Sequence, residues 1–265
     1  MSGPAPTVAL FALRTGAVSD TLVGEARAIL DDGERARAAR FRHAHDARQH
    51  VLASALTRRA LASLVGGGDA LAARIAFGFG ERGRPFVRSP AALADVSFNA
   101  SRTAGLVVCA ISSTHTIGVD VENLARAIDV DEIAPVALHP SETRALSRLD
   151  APARRLAFLR VWTLKEAYAK ARGLGLYLPV ERAAFEVDDA ARVSARFEPD
   201  LDDDPSAWCF TLHGPSAIHQ VAIAHALPSS STPTVSVSDA LPLFSRGARL
   251  ASPSPLDPEV PHVRT

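Results

Sequence analysis

Neither sign of charge prevails in this sequence: Lys and Arg number 29 among 265 residues, and Asp and Glu also number 29. With no net field to gather a polyanion, nucleic acids and anionic membranes are excluded as bulk partners, and any anion site must be local. Cysteine is nearly absent. The two present, Cys109 and Cys209, sit in the apolar runs "LVVCAIS" and "AWCFTL", which predicts small buried hydrophobes and excludes a disulfide framework or a cysteine zinc site. Long apolar runs are missing as well, since no segment approaches the roughly 20 residues of a membrane span. The opening "MSGPAPTVALFALRTG" lacks a basic leader and a sustained apolar stretch, so no secretion signal is expected and the chain is read as cytoplasmic. What remains is 47% hydrophobic and 22% charged. That is a globular composition, long enough for one large domain or two modest ones.

Periodicity divides the chain. "TVALFALRT" reads as a strand, followed by two short helical patterns and a long helix over "AHDARQHVLASALTRRALASLVG", whose Val51, Leu52, Ala55, Leu56, Leu61 and Leu64 share a face. Short strands follow, among them "DVSFNAS", "AGLVVCAIS" and "HTIGVDVE". A second long helix, "PARRLAFLRVWTLKEAYAKARG", is closed by Gly173 and Gly175, and further strands run to about Ala226. The order predicts an α+β protein with a duplicated plan: residues 1–114 form an N-terminal half, 115–226 a C-terminal half and 227–265 a tail. The tail is rich in proline and serine and is expected to be mostly flexible, with "ALPLF" docking on the body.

Two stretches carry chemistry. In "IGVDVE", strand alternation puts Asp120 and Glu122 on one face and Val119 and Val121 on the other. Paired carboxylates are either simply solvated or share a hard cation such as Mg²⁺. In "WTLKEAYAK", Trp162, Glu166 and Lys170 follow at intervals of four and form a helical stripe flanked by Lys165. The plain account is an ordinary Glu–Lys pair beside a core tryptophan. The sharper one is that Glu166 completes a three-carboxylate metal site with Asp120 and Glu122, while Lys170 meets a phosphate as a point charge. Together these groups suit phosphoryl transfer. His43, His45 and His50 lie in an arginine-rich helix start and are read as a solvated face rather than metal ligands.

"IGVDVE" followed by "WTLKEAYAKARGLGL" resembles the 4′-phosphopantetheinyl transferases, in particular the larger, surfactin-synthetase-activating (Sfp-like) type. "GRP" at Gly83–Pro85, "FNASRT" at Phe98–Thr103 and the arginine-rich entry from Arg35 are similar to further landmarks of that family, in the same order. The resemblance implies two similar α+β halves, each a small antiparallel sheet on a long helix, with coenzyme A between them. It implies Mg²⁺-dependent transfer of phosphopantetheine from coenzyme A to a serine of an acyl, peptidyl or polyketide carrier protein, releasing 3′,5′-ADP. By position, Asp120, Glu122 and Glu166 match the metal ligands, with Glu166 also the base, and Lys170 matches the lysine at the pyrophosphate. Arg84 and Pro85 match the turn approaching the adenine, Ser101 and Arg102 the pair near the 3′-phosphate, and Arg37 and Arg40 the basic residues near the coenzyme A phosphates. A monomer is implied.

The departures are informative. Arg102 stands where the family usually has histidine, which keeps a permanent charge for a phosphate but removes a titrating group. Gln49 and His50 replace an expected basic residue and a small hydroxyl, so no coenzyme A contact is carried over there, and Arg48 is either a substitute or solvent-exposed. The alternative function is a non-catalytic coenzyme A or carrier-protein binding module. Such a module should have lost one of Asp120, Glu122, Glu166 or Lys170, and all four are present.

Overall fold

In the computed structural model, which describes residues 7–113, 115–227 and 233–245, the chain forms two units. In the first, β1 (Thr7–Arg14) leads into α1 (Asp20–Ala28), α2 (Asp32–Ala39), α3 (Ala44–Ser63) and the short α4 (Asp69–Ala72). The hairpin β2 (Ala76–Phe79) and β3 (Pro85–Ser89) follows, then β4 (Ser97–Thr103) and β5 (Leu106–Ser112). Helix starts lie where side chains can satisfy the free amides. Leu22 N donates to Ser19 Oγ at 3.3 Å, and Asp31 and Glu34 form a reciprocal capping box at the start of α2. Strand β5 pairs antiparallel with β1 and with β4, and every residue along it is buried. Helix α3 packs on this sheet with Leu52, Leu56 and Leu61 fully buried. Leu64, expected on that face, is instead 44% exposed because the helix ends at Ser63.

The second unit begins with β6 (Ile117–Asn123), followed by α5 (Val130–Ala137), α6 (Pro140–Leu146) and the long α7 (Ala151–Arg172). A hairpin of β7 (Ala183–Val187) and β8 (Val193–Phe197) precedes β9 (Trp208–Ser216) and β10 (His219–Ala226). Strands β6, β10 and β9 make an antiparallel sheet in that order, with Val121 opposite Val221 and Asp120 opposite Ala222. Helix α7 starts at Asp150, whose side chain accepts from Ala153 N, and stops at Gly173, whose φ of 65° suits the left-handed position. It lies along β6 and β10, where Leu164 and Tyr168 are completely buried, while Phe158 and Leu159 are buried in a cluster with α5 and α6. Each such side chain contributes about 1.5–3 kcal/mol by leaving water.

The expectation of a flexible tail over 227–265 requires correction where the structure describes it. Residues Thr234–Asp239 form β11, which pairs in parallel with β1 from Thr7↔Thr234 to Ala12↔Asp239. The first unit's sheet therefore has the order β11-β1-β5-β4, and it is mixed rather than purely antiparallel. A 3₁₀ turn follows at Leu241–Phe244 and seats Phe244, 1% exposed, beneath the Arg59 guanidinium. Composition misled here because "TVSVSD" has the alternation of a strand, and pairing with β1 supplies the backbone partners that a proline-rich segment cannot make alone. The rest of the tail expectation lies outside the described residues. Among them, no helix is long and apolar enough to cross a membrane.

Candidate functional site

The second unit assembles its charges between β6 and α7. Gly118, Asp120 and Glu122 project from one face of β6. Gly118 lies against the helix backbone so closely that a methyl group there would overlap the Ala167 carbonyl oxygen and the backbone of Ala171. This contact brings the turn of α7 that carries Glu166 and Lys170 up to the acidic face. Lys170 Nζ donates to Asp120 Oδ1 at 2.5 Å, and Glu122 Oε1 accepts from Arg126 at 2.8 Å. Asp120 and Glu122 are 6% and 8% exposed, a costly state for carboxylates unless the charge is compensated. Glu166 shows the cost directly. Burial pushes its carboxyl above the usual range, the charge of Asp120 pushes it further, and Lys170 offsets part of the rise. Glu122 is raised mainly by burial too, with Arg126 opposing and Asp120 adding. Asp120, Glu166 and Lys170 thus act on one another. Among the described residues, however, no three His, Cys, Asp or Glu side chains are arranged as a metal cage. The donors are still of the right chemistry: hard carboxylate oxygens whose mutual repulsion a divalent cation relieves, and Mg²⁺ needs only one or two of them.

Lys165, next to Glu166 in sequence, has a different role. Its side chain is fully buried and pairs with Glu142 at 2.9 Å, while its ammonium also donates to the carbonyls of Val180 and Ala183. Glu142 in turn accepts from the amides of His139 at 2.7 Å and Phe185 at 2.6 Å. The Lys165–Glu142 pair therefore ties α7 to α6 and β7. Farther along the helix, Asp203 accepts from Tyr168 Oη, Arg172 and Trp208 Nε1 at 2.6, 2.5 and 2.9 Å. The flanks of the Glu166–Lys170 turn are locked by buried polar networks, while Glu166 and Lys170 keep partial access to solvent.

The first unit holds a cavity of about 510 Å³, within the usual range of small-molecule sites. Arg37, Pro85, Ser101 and Arg102 line it, together with Asp31, Glu34, His50, Phe77, Phe79 and Phe98. Arg40 is the C-cap residue of α2 and is not among the lining residues; nor is Arg84, which donates to Ser97 Oγ at 3.2 Å. Desolvation and then the nearby charge of Arg37 lower the Arg102 guanidinium, so two like charges are held at one wall, as an anion site requires. Arg102 also lies over the Phe41 ring, 5.5 Å from its centroid. His50, expected on a solvated face, is 7% exposed and meets the Glu34 carbonyl at 3.3 Å. Burial, then Arg102 and Arg37, depress its pKa, so it is neutral near pH 7. Sequence reasoning missed His50, Phe77 and the acidic pair Asp31 and Glu34 at this cavity. The one available signal was the capping-box spacing of Asp31 and Glu34, which fixes α2. Arg48 is bound to Asp20 at 2.6 Å and to the Val18 carbonyl, away from the lining set.

Comparison with known proteins bears on these arrangements. Residues 116–226 match the family model described as the 4′-phosphopantetheinyl transferase superfamily. The 4′-phosphopantetheinyl transferase HetI of Nostoc sp. is 32% identical over 149 residues, 56% of this chain and 62% of its own length, so the match spans less than two thirds of that relative. A 4′-phosphopantetheinyl transferase of Bacillus subtilis is 31% identical over 61% of this chain and 68% of its own. The transferase gsp of Aneurinibacillus migulanus is 33% identical over 65% and 72%. The chain belongs to the 4′-phosphopantetheinyl transferase superfamily.

Proposed function

We propose that this chain carries out the transfer typical of its family, moving the phosphopantetheine arm of coenzyme A to the serine hydroxyl of a carrier protein and releasing 3′,5′-ADP. Fatty-acid, polyketide and non-ribosomal peptide carriers are all suitable acceptors, and the chain acts on them as a cytoplasmic monomer. In this reading Mg²⁺ would be held by one or two carboxylates of the Asp120, Glu122 and Glu166 set, and when bound it would neutralise charge on the pyrophosphate and its leaving group. Glu166 accepts the proton as the serine oxygen attacks the phosphorus nearer pantetheine and the bond to the bridging oxygen breaks. A carboxyl with a raised pKa is a better match to a hydroxyl proton than an ordinary glutamate. Lys170 stabilises negative charge on the pyrophosphate by its position one turn beyond Glu166. Arg37, Pro85, Ser101 and Arg102 receive the nucleotide end, with the paired guanidiniums directed at phosphate.

The observation that supports this most is the meeting of Asp120, Glu166 and Lys170 from a strand and a helix distant in sequence. It is tested by following 3′,5′-ADP release from coenzyme A with an apo-carrier while Mg²⁺ is titrated. The wild-type protein should require the metal, and Asp120→Ala should release no product at any Mg²⁺ concentration. Release that ignores both metal and substitution would refute the assignment.

A further inference from the structure

Arg58 is the largest fully buried side chain among the described residues, and nothing in the transfer chemistry uses it. Each of its nitrogens is engaged. Nε donates to Glu34 at 2.7 Å, Nη2 to Asp31 at 2.8 Å, and Nη1 to the carbonyls of Ala72 and Ile75 at 3.0 and 2.9 Å. Its guanidinium lies over the Phe77 ring, 5.0 Å from the centroid. Asp31 and Glu34 cap α2, the helix that presents Arg37, and Ile75 immediately precedes β2, the strand that presents Phe77 and Phe79. Asp31, Glu34, Arg37, Phe77 and Phe79 all line the same cavity. One planar fork thus fastens two walls together from behind, and it also matches two carboxylates that would otherwise face an anionic ligand uncompensated.

Accepting the proposed function above, we infer that Arg58 is a positioning residue for coenzyme A: it sets the spacing between the α2 wall and the β2 wall and offsets half the charge of the acidic pair. It touches neither substrate nor reacting atoms. Loss of its charge leaves two carboxylates beside the binding guanidiniums, so affinity for the polyanionic donor falls while the second unit's chemistry is untouched. A lysine keeps the charge but cannot reach both carboxylates and both carbonyls at once.

The test is steady-state kinetics on the full chain, varying coenzyme A and apo-carrier separately, with circular dichroism to establish folding. Arg58→Met should raise KM for coenzyme A by about tenfold or more, with KM for the carrier unchanged and kcat at saturating coenzyme A within about threefold. Arg58→Met/Glu34→Gln should recover part of the loss, because the net charge of the wall is restored. Arg58→Lys should be intermediate, and it decides the matter should the methionine variant fail to fold. A purely structural role would instead lower kcat through a smaller active fraction and leave both KM values alone. That pattern, or an unchanged coenzyme A KM in folded Arg58→Lys, overturns the inference. Arg37→Ala and Arg102→Ala serve as references. If they too leave the coenzyme A KM unmoved, coenzyme A does not occupy this cavity, and the underlying assignment fails rather than the role of Arg58 alone.

Discussion

At the scale of residues, two lysines five positions apart on one helix make opposite use of their charge. Lys165 is sealed against Glu142, and its partners cannot be rehydrated. Lys165→Ala should therefore cost about 3–5 kcal/mol by stranding a buried carboxylate, measured as a shift in urea midpoint. Lys170, with 29% of its side chain exposed, holds the nearly buried Asp120, so alanine there should also cost stability, though less than at Lys165, and transfer should fall sharply. Glu166 gives a prediction with a pH signature. Its folded pKa lies above the ordinary 4.5, so its contribution to stability is complete below 4.5 and is lost as pH rises through the folded value. Near neutral pH the metal-free protein therefore carries an unfavourable carboxylate. Glu166→Gln should raise its thermal midpoint at pH 7 to 8, with the advantage fading as pH falls to 4.5, while abolishing transfer. Equal midpoints across that range would contradict the electrostatic account of the site.

At the scale of elements, the distance between β6 and α7 governs the site, and Gly118 sets it. Gly118→Ala forces a methyl group into helix backbone that cannot swing aside. It should destabilise the protein by about 1–3 kcal/mol, seen in urea titration, and reduce transfer much more than that loss of stability would explain. Much of this geometry was legible in the sequence. Strand alternation placed Asp120 beside Glu122, and helical spacing placed Glu166 beside Lys170, because both periods are local properties of the backbone. Lys165 was not legible, since its partner Glu142 is on another helix and its carbonyl partners are Val180, just before β7, and Ala183, the first residue of β7. Arg58 was hidden for the same reason. Its carboxylate partners lie 24 and 27 residues earlier, and an arginine in an otherwise amphipathic helix looks like a solvated one.

For the whole molecule, the C-terminal segment has the largest consequence. Strand β11 covers the outer edge of β1, and Phe244 is buried under α3 through Arg59. Composition suggested a mostly flexible tail, because proline and serine counts cannot report that six residues find a strand to pair with more than 200 positions away. Phe244→Ala should cost about 3–5 kcal/mol, and a chain ending at residue 227 should show a lower thermal midpoint still. Differential scanning calorimetry checks both, and an unchanged midpoint in the truncated chain would mean that β11 contributes nothing to the first unit. Family membership rests on similarity across most of the body, whereas the roles of individual side chains rest on the charges gathered between β6 and α7. The most direct measurement is intact-mass spectrometry of an apo-carrier protein incubated with this chain, Mg²⁺ and coenzyme A. The account predicts a gain of one phosphopantetheine arm with the wild-type chain and no gain with Glu166→Gln. An unmodified carrier in the first case, or full modification in the second, would contradict it.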